Sequence, residues 1–169
     1  MNLDKMNGWL ALLGNLGVIL GIIFLAIELQ NSTRATEAQT RDSLSAKLMD
    51  WQMALATDLD VAELWRVGNN GRQEFSEPRE WTAYTQLIQS SFRLWENEYY
   101  QYKVGLYNDS EIEPRLVRWK GALQRLGMSQ VWCLQRDAYA ADFREILDSF
   151  VNESTSCETI IDEYRANRT

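Results

Sequence analysis

The chain has 169 residues, a net charge of −7 and no histidine. The lack of histidine removes the commonest general base, the commonest zinc ligand and the Glu-x-x-His di-iron motif of helical bundles. The acidic balance argues against a phosphate-binding surface, because nucleic-acid affinity rests on clustered Lys and Arg. No run of like charge offers a polybasic lipid-binding tail.

The first element runs from Trp9 to Leu29, WLALLGNLGVILGIIFLAIEL, with one amide, Asn15, and one carboxylate, Glu28. At about 1.5 Å per residue, a helix of this length spans roughly 31 Å, the thickness of a hydrocarbon core. It reads as a single transmembrane anchor, residues 1–30. A cleaved signal peptide would have a shorter apolar run ending in a small-x-small site, and this run ends in Glu-Leu-Gln-Asn. Lys5 and the terminal amine precede the anchor, and Arg34, Arg41 and Lys47 follow it. That bias places the C-terminal domain in the cytoplasm.

Gly14, Gly21 and Glu28 fall on one stripe of this helix, with Gly17 beside it. Gly17-x-x-x-Gly21 is a spacing that lets two helix backbones approach closely in lipid. The stripe predicts self-association, with Gly14, Gly17, Gly21 and Glu28 as the interface. Asn15 points roughly 100° away and is placed to hydrogen-bond a second neighbour.

Beyond Gln30 no Pro or Gly occurs before Gly68. Leu44, Leu48, Trp51 and Leu55 recur at helical spacing, so the anchor is expected to continue as an amphipathic helix to about Thr57. The alternative is a break at Asn31–Thr33 with Ser32 or Thr33 capping a new helix. Asp58 or Asp60 caps a short helix carrying Val61, Leu64, Trp65 and Val67, ended by Gly68-Asn69-Asn70-Gly71.

Ser76 is expected to cap the strongest soluble helix, about Glu77 to Val104, with Pro78 in its first turn. Trp81, Ile88, Trp95 and Tyr102 repeat every seven residues, flanked by Phe92 and Tyr99. This aromatic stripe predicts the core. Gly105 ends the helix. Ser110-Glu111-Ile112-Glu113 reads as a capping box for the next helix, which carries Leu116, Val117, Trp119, Leu123 and Leu126 and stops at Gly127. Ser129 opens a shorter piece with Val131, Trp132 and Leu134. A last helix, about Ala138 to Asn152, buries Tyr139, Phe143, Ile146, Leu147 and Phe150. The segment 154–169 reads as a polar tail, in which Ile160, Ile161 and Tyr164 offer at most a docked turn or two.

Cys133 and Cys157 lie 24 apart, outside any C-x-x-C arrangement. They pair only if the fold brings them together, and semi-buried free thiols in a reducing compartment are the expectation.

Leu25-Ala-Ile-Glu-Leu-Gln-Asn-Ser-Thr-Arg-Ala at the membrane exit, Arg93-Leu-Trp-Glu-Asn-Glu-Tyr-Tyr-Gln-Tyr-Lys-Val-Gly-Leu-Tyr in mid-chain, and then Trp119 and Trp132, resemble a group of bacterial single-span membrane proteins. The resemblance spans the layout of nearly the whole chain and is close at these segments. It departs at Glu28-Leu29-Gln30, where a basic residue is expected. It implies the helical fold and a bacterial inner-membrane location, and no activity.

Candidate chemistry is sparse. Arg93, Glu96, Asn97 and Gln101 share a helical face and form a possible polar ligand or contact cluster, although a local network between helices is the commoner outcome. Glu96 and Glu98 point about 160° apart and cannot act as a carboxylate pair from one helix. No G-x-S-x-G, phosphate loop or metal-ligand spacing occurs. No catalytic, cofactor or metal residue is therefore assigned.

The sequence thus predicts an all-α protein: one transmembrane helix continuing into a bundle of about four to five helices, residues 31–153. Its expected role is a non-enzymatic interaction and assembly module. The expected partners are the lipid bilayer, itself as a homo-oligomer, and an unknown membrane protein, with no nucleic acid and no cofactor. The alternative is a subunit of an oligomeric pore or transport accessory, with Asn15 and Glu28 lining a polar path.

Overall fold

A computed structural model describes residues 3–151 and 156–166, with side chains from residue 7 onward. The Lys5 side chain, Asn152 and Ser154 lie outside the described residues. Among the described residues the protein is all-helical and contains no strand. Seven helices follow one another: α1 Leu3–Thr57, α2 Leu59–Gly68, α3 Pro78–Lys103, α4 Asp109–Leu123, α5 Leu126–Gln135, α6 Ala141–Asp148 and α7 Cys157–Ala166. The chain divides into two compact units, Met1–Ser43 and Leu44–Thr169.

The first unit is helix throughout its described length. Its large apolar side chains between Trp9 and Leu29 are all exposed, from 50% at Ile23 to 70% at Leu29. It is the one described helix long and apolar enough to cross a membrane. The helix does not break at Asn31–Thr33. Thr33, Thr36 and Thr40 each donate a hydroxyl hydrogen bond to the carbonyl one turn earlier, at 2.9–3.0 Å. These bonds satisfy the polar side chains within the helix and remove the reason for a new cap.

The second unit begins inside α1, at the buried Leu44, and α1 ends at Thr57 as its periodicity predicts. Asp58 caps α2, its carboxylate accepting from the amides of Asp60 and Val61. Gly71, at φ 117°, then reverses the chain in a region that only glycine adopts readily. The cap of α3 is Glu77 and not Ser76. Its amide donates to the Glu80 carboxylate, and Pro78 occupies the first turn, where its missing N–H costs nothing.

The expected box at Ser110 is displaced two residues. Asn108 accepts from the Glu111 amide at 3.1 Å, and Glu111 accepts from the Asn108 amide at 2.9 Å. Asparagine at this position starts the helix before the serine can, and Ser110 instead donates to Asn108. Likewise α5 starts at Leu126 and passes through Gly127, and Ser129 lies buried within it, its hydroxyl donating to the Leu123 carbonyl.

α5 is the central element of this unit and packs against α3, α4 and α7. Its sequence, LGMSQVWCLQ, is apolar nearly all round, as a helix with neighbours on several sides must be. Its own Trp132 ring is buried together with those of Phe92, Trp119 and Phe143. Phe92 meets Trp132 edge to face at 5.3 Å, and Trp95 stacks on Trp119 at 5.5 Å. Burying each phenylalanine contributes about 1.5–3 kcal/mol before entropy is counted.

Two expectations are corrected here. Cys133 and Cys157 are not free thiols: they form a disulfide between α5 and α7. The segment taken as a polar tail carries α7, with Cys157 and Ile160 buried. Among the described residues six α-helices follow α1, where four or five were expected. Few apolar residues mark α7, and a covalent bond does what a wide apolar stripe does elsewhere.

Candidate functional site

The predicted polar cluster on α3 is a tie between elements. The Arg93 guanidinium bonds Glu96 at 2.7 Å and the Ala138 carbonyl at 3.0 Å, and lies 4.1 Å from the centre of the Tyr139 ring. Glu96 accepts from the Ala140 amide at 2.8 Å, directly ahead of α6. The two side chains thus fasten the turn before α6, and Glu96 serves as the cap that Ala140 cannot supply. Gln101 donates to Asn97 at 3.3 Å. Beside them lies a hollow lined by Arg93, Glu96, Asn97 and Lys103, but not Gln101. At its edge Lys103 bonds Asp142, and this bond holds the carboxyl of Asp142 below its ordinary range.

Gly14, Gly17 and Gly21 lie on the exposed helix of the first unit. A methyl group built on any of them meets nothing within 4 Å. Glu28 is likewise exposed. Among the described residues no group of His, Cys, Asp and Glu is placed to hold a metal ion.

Glu98 is a functional candidate that the sequence did not single out. It is 3% exposed on α3 and faces α4, where Arg115 Nε donates at 3.1 Å and Arg118 lies at 3.9 Å. Arg115 is itself held, bonding the Glu111 carbonyl and packing over Tyr107 at 4.5 Å. The second carboxylate oxygen of Glu98 is buried without a hydrogen bond.

Next to this pair is a cavity of about 410 Å³. α1, α2, α3, α4 and α5 all contribute to it, as does Arg125 just before α5. Trp51, Trp65 and Trp95 form broad walls. Among the described residues its lining carries Arg118 and Arg125 and no carboxylate. The Arg125 guanidinium lies 5.0 Å from the Trp65 ring centre, a cation–π arrangement. Ser91, 6% exposed, and Trp51 each bury a polar atom that has no hydrogen-bond partner. This is the build of a small-molecule site: apolar walls and a few polar groups that fix orientation.

The sequence offered half of this site. Leu48 and Trp51 on α1, and Trp95 on α3, lie on stripes visible in the periodicity. Their junction with Arg118 and Arg125 depends on helix packing, which periodicity does not specify.

No protein-family model matches the chain, and no curated protein or solved structure shows significant similarity to it.

Proposed function

We propose that the protein is a membrane-anchored, non-enzymatic interaction and assembly module. The observation that carries this reading is the apolar surface from Trp9 to Leu29, exposed along its whole length in the first unit. Such a surface is covered by lipid or by another copy of itself. Open space around Gly14, Gly17 and Gly21 supports close approach of a second helix at the glycine face. The resemblance at Arg93–Tyr107 supports a bacterial inner membrane as the location.

The disulfide supports an orientation opposite to the one read from charge. Structural disulfides persist in oxidising compartments and are rare in the cytosol. A margin of three basic residues to one is a small bias against that. In this reading the helical domain lies on the outer face of the membrane.

Native mass spectrometry from lipid nanodiscs tests the assembly. A defined oligomer that dissociates in Gly21→Leu is expected, and a monomer in both forms sinks self-association. Fusions of alkaline phosphatase and of green fluorescent protein to the C-terminus test orientation. Phosphatase activity without fluorescence is expected, and the reverse pattern returns the domain to the cytoplasm.

A further inference from the structure

The cavity between Trp51, Trp65 and Trp95 has a charge opposite to that of the protein. The chain carries −7, yet among the described residues the cavity lining holds two arginines and no carboxylate. The nearby carboxylate, Glu98, is engaged mainly by Arg115, at 3.1 Å. Its 3.9 Å contact with Arg118 is too long for a hydrogen bond. Arg118 is thus steered by Glu98 and keeps its hydrogen-bonding capacity. The Arg125 guanidinium carbon lies 5.0 Å from the Trp65 ring centre, which holds its charge beside the apolar wall.

Two residues of the lining also bury polar atoms. Ser91 Oγ and Trp51 Nε1 lack partners although both are removed from solvent. The three tryptophans in the lining favour a flat aromatic body over a flexible chain. A volume of about 410 Å³ suits a molecule of one or two fused rings.

We propose that this cavity is a binding site for a small aryl carboxylate, its ring between the tryptophans and its carboxylate on Arg118 and Arg125. This assignment goes beyond anchoring and self-association, and its test is independent of both.

The test uses the full chain in nanodiscs, titrated with naphthoate and, separately, with neutral naphthamide, by calorimetry and tryptophan fluorescence. Gly121 lines the cavity and a Cβ there meets nothing within 4 Å, so Gly121→Leu is the variant that adds bulk at the site. Exposed Arg125 is replaced in Arg125→Gln, which tests the charge even if the filled variant misfolds. Saturable naphthoate binding is expected, weaker by about tenfold or more for naphthamide and for Arg125→Gln. Binding is expected to vanish in Gly121→Leu with helical content unchanged. Equal affinity for acid and amide overturns the proposal, as does unchanged binding in a folded Gly121→Leu or no saturable binding up to millimolar naphthoate. Displacement of naphthoate by an equal concentration of dodecanoate overturns the assignment of a flat ligand.

Discussion

Gly127 and Gly68 touch through their backbones. A Cβ on Gly127 would come to 1.7 Å from the Gly68 carbonyl oxygen, and the Gly127 amide donates to the Asn69 carbonyl at 3.2 Å. The end of α2 therefore crosses the start of α5 with no room for a side chain. On the other side of the crossing, a Cβ on Gly68 would meet the Tyr84 ring at 2.2 Å. Gly127→Ala is expected to destabilise the domain by about 1–3 kcal/mol, the range for overpacking a rigid contact. Gly121→Ala, on an open helix face, is the matched control. Equal denaturation midpoints for the two variants would contradict the crossing.

The ion pair of Glu98 is asymmetric. Glu98 is buried, whereas the Arg115 side chain is 29% exposed. Removing the arginine strands a buried charge, and Arg115→Met is expected to cost about 3 kcal/mol. Glu98→Gln leaves a neutral amide facing a partly solvated arginine and is expected to cost less. Urea titration of the single and double variants measures both the order and the coupling. The reverse order would place the cost in the arginine.

Tyr84 couples the fold to alkaline pH. Burial pushes its phenol well above the ordinary value of 10.0, and its hydroxyl donates to Asn69 at 3.2 Å. A folded-state value above the unfolded one means that the stabilisation is complete below about pH 10 and fades as pH rises beyond it. Tyr84→Phe is expected to flatten the alkaline limb of the stability profile while leaving the acid limb in place. The check is urea stability measured from neutral to strongly alkaline pH. An unchanged alkaline slope would remove Tyr84 as its source.

Reduction is expected to loosen α7 selectively. The bond from Cys133 to Cys157 closes a loop with a sequence separation of 24, worth about 3 kcal/mol in unfolded-chain entropy. Faster hydrogen exchange in Cys157–Ala166 is expected in Cys133→Ser/Cys157→Ser, with little change in α3. Uniform acceleration across the domain would mean that the bond stabilises the whole core instead.

Legibility followed the range of the interactions. The end of α1 at Thr57, a cap at Asp58 or Asp60 and Pro78 in a first turn are local features, readable from neighbouring residues. So was the burial of Ile88, Phe92 and Trp95. The start of α4 was misread because Asn108 and Ser110 both suit a cap, and geometry two residues apart decides between them. Tyr84 escaped notice because it stands off the seven-residue repeat, although it is buried against Gly68. The disulfide, α7 and the tryptophan cavity depend on which helices meet, and no local pattern encodes that. Arg93 and Glu96 were visible as a cluster, but their hold on Ala138 and Ala140 was not.

The Cys133–Cys157 bond also makes part of the chain redundant as a tether. A protease cut between the two cysteines severs the backbone but leaves α7 attached to α5 through sulfur. The nicked protein would still travel as one molecule, and separate into two only when a reductant is added.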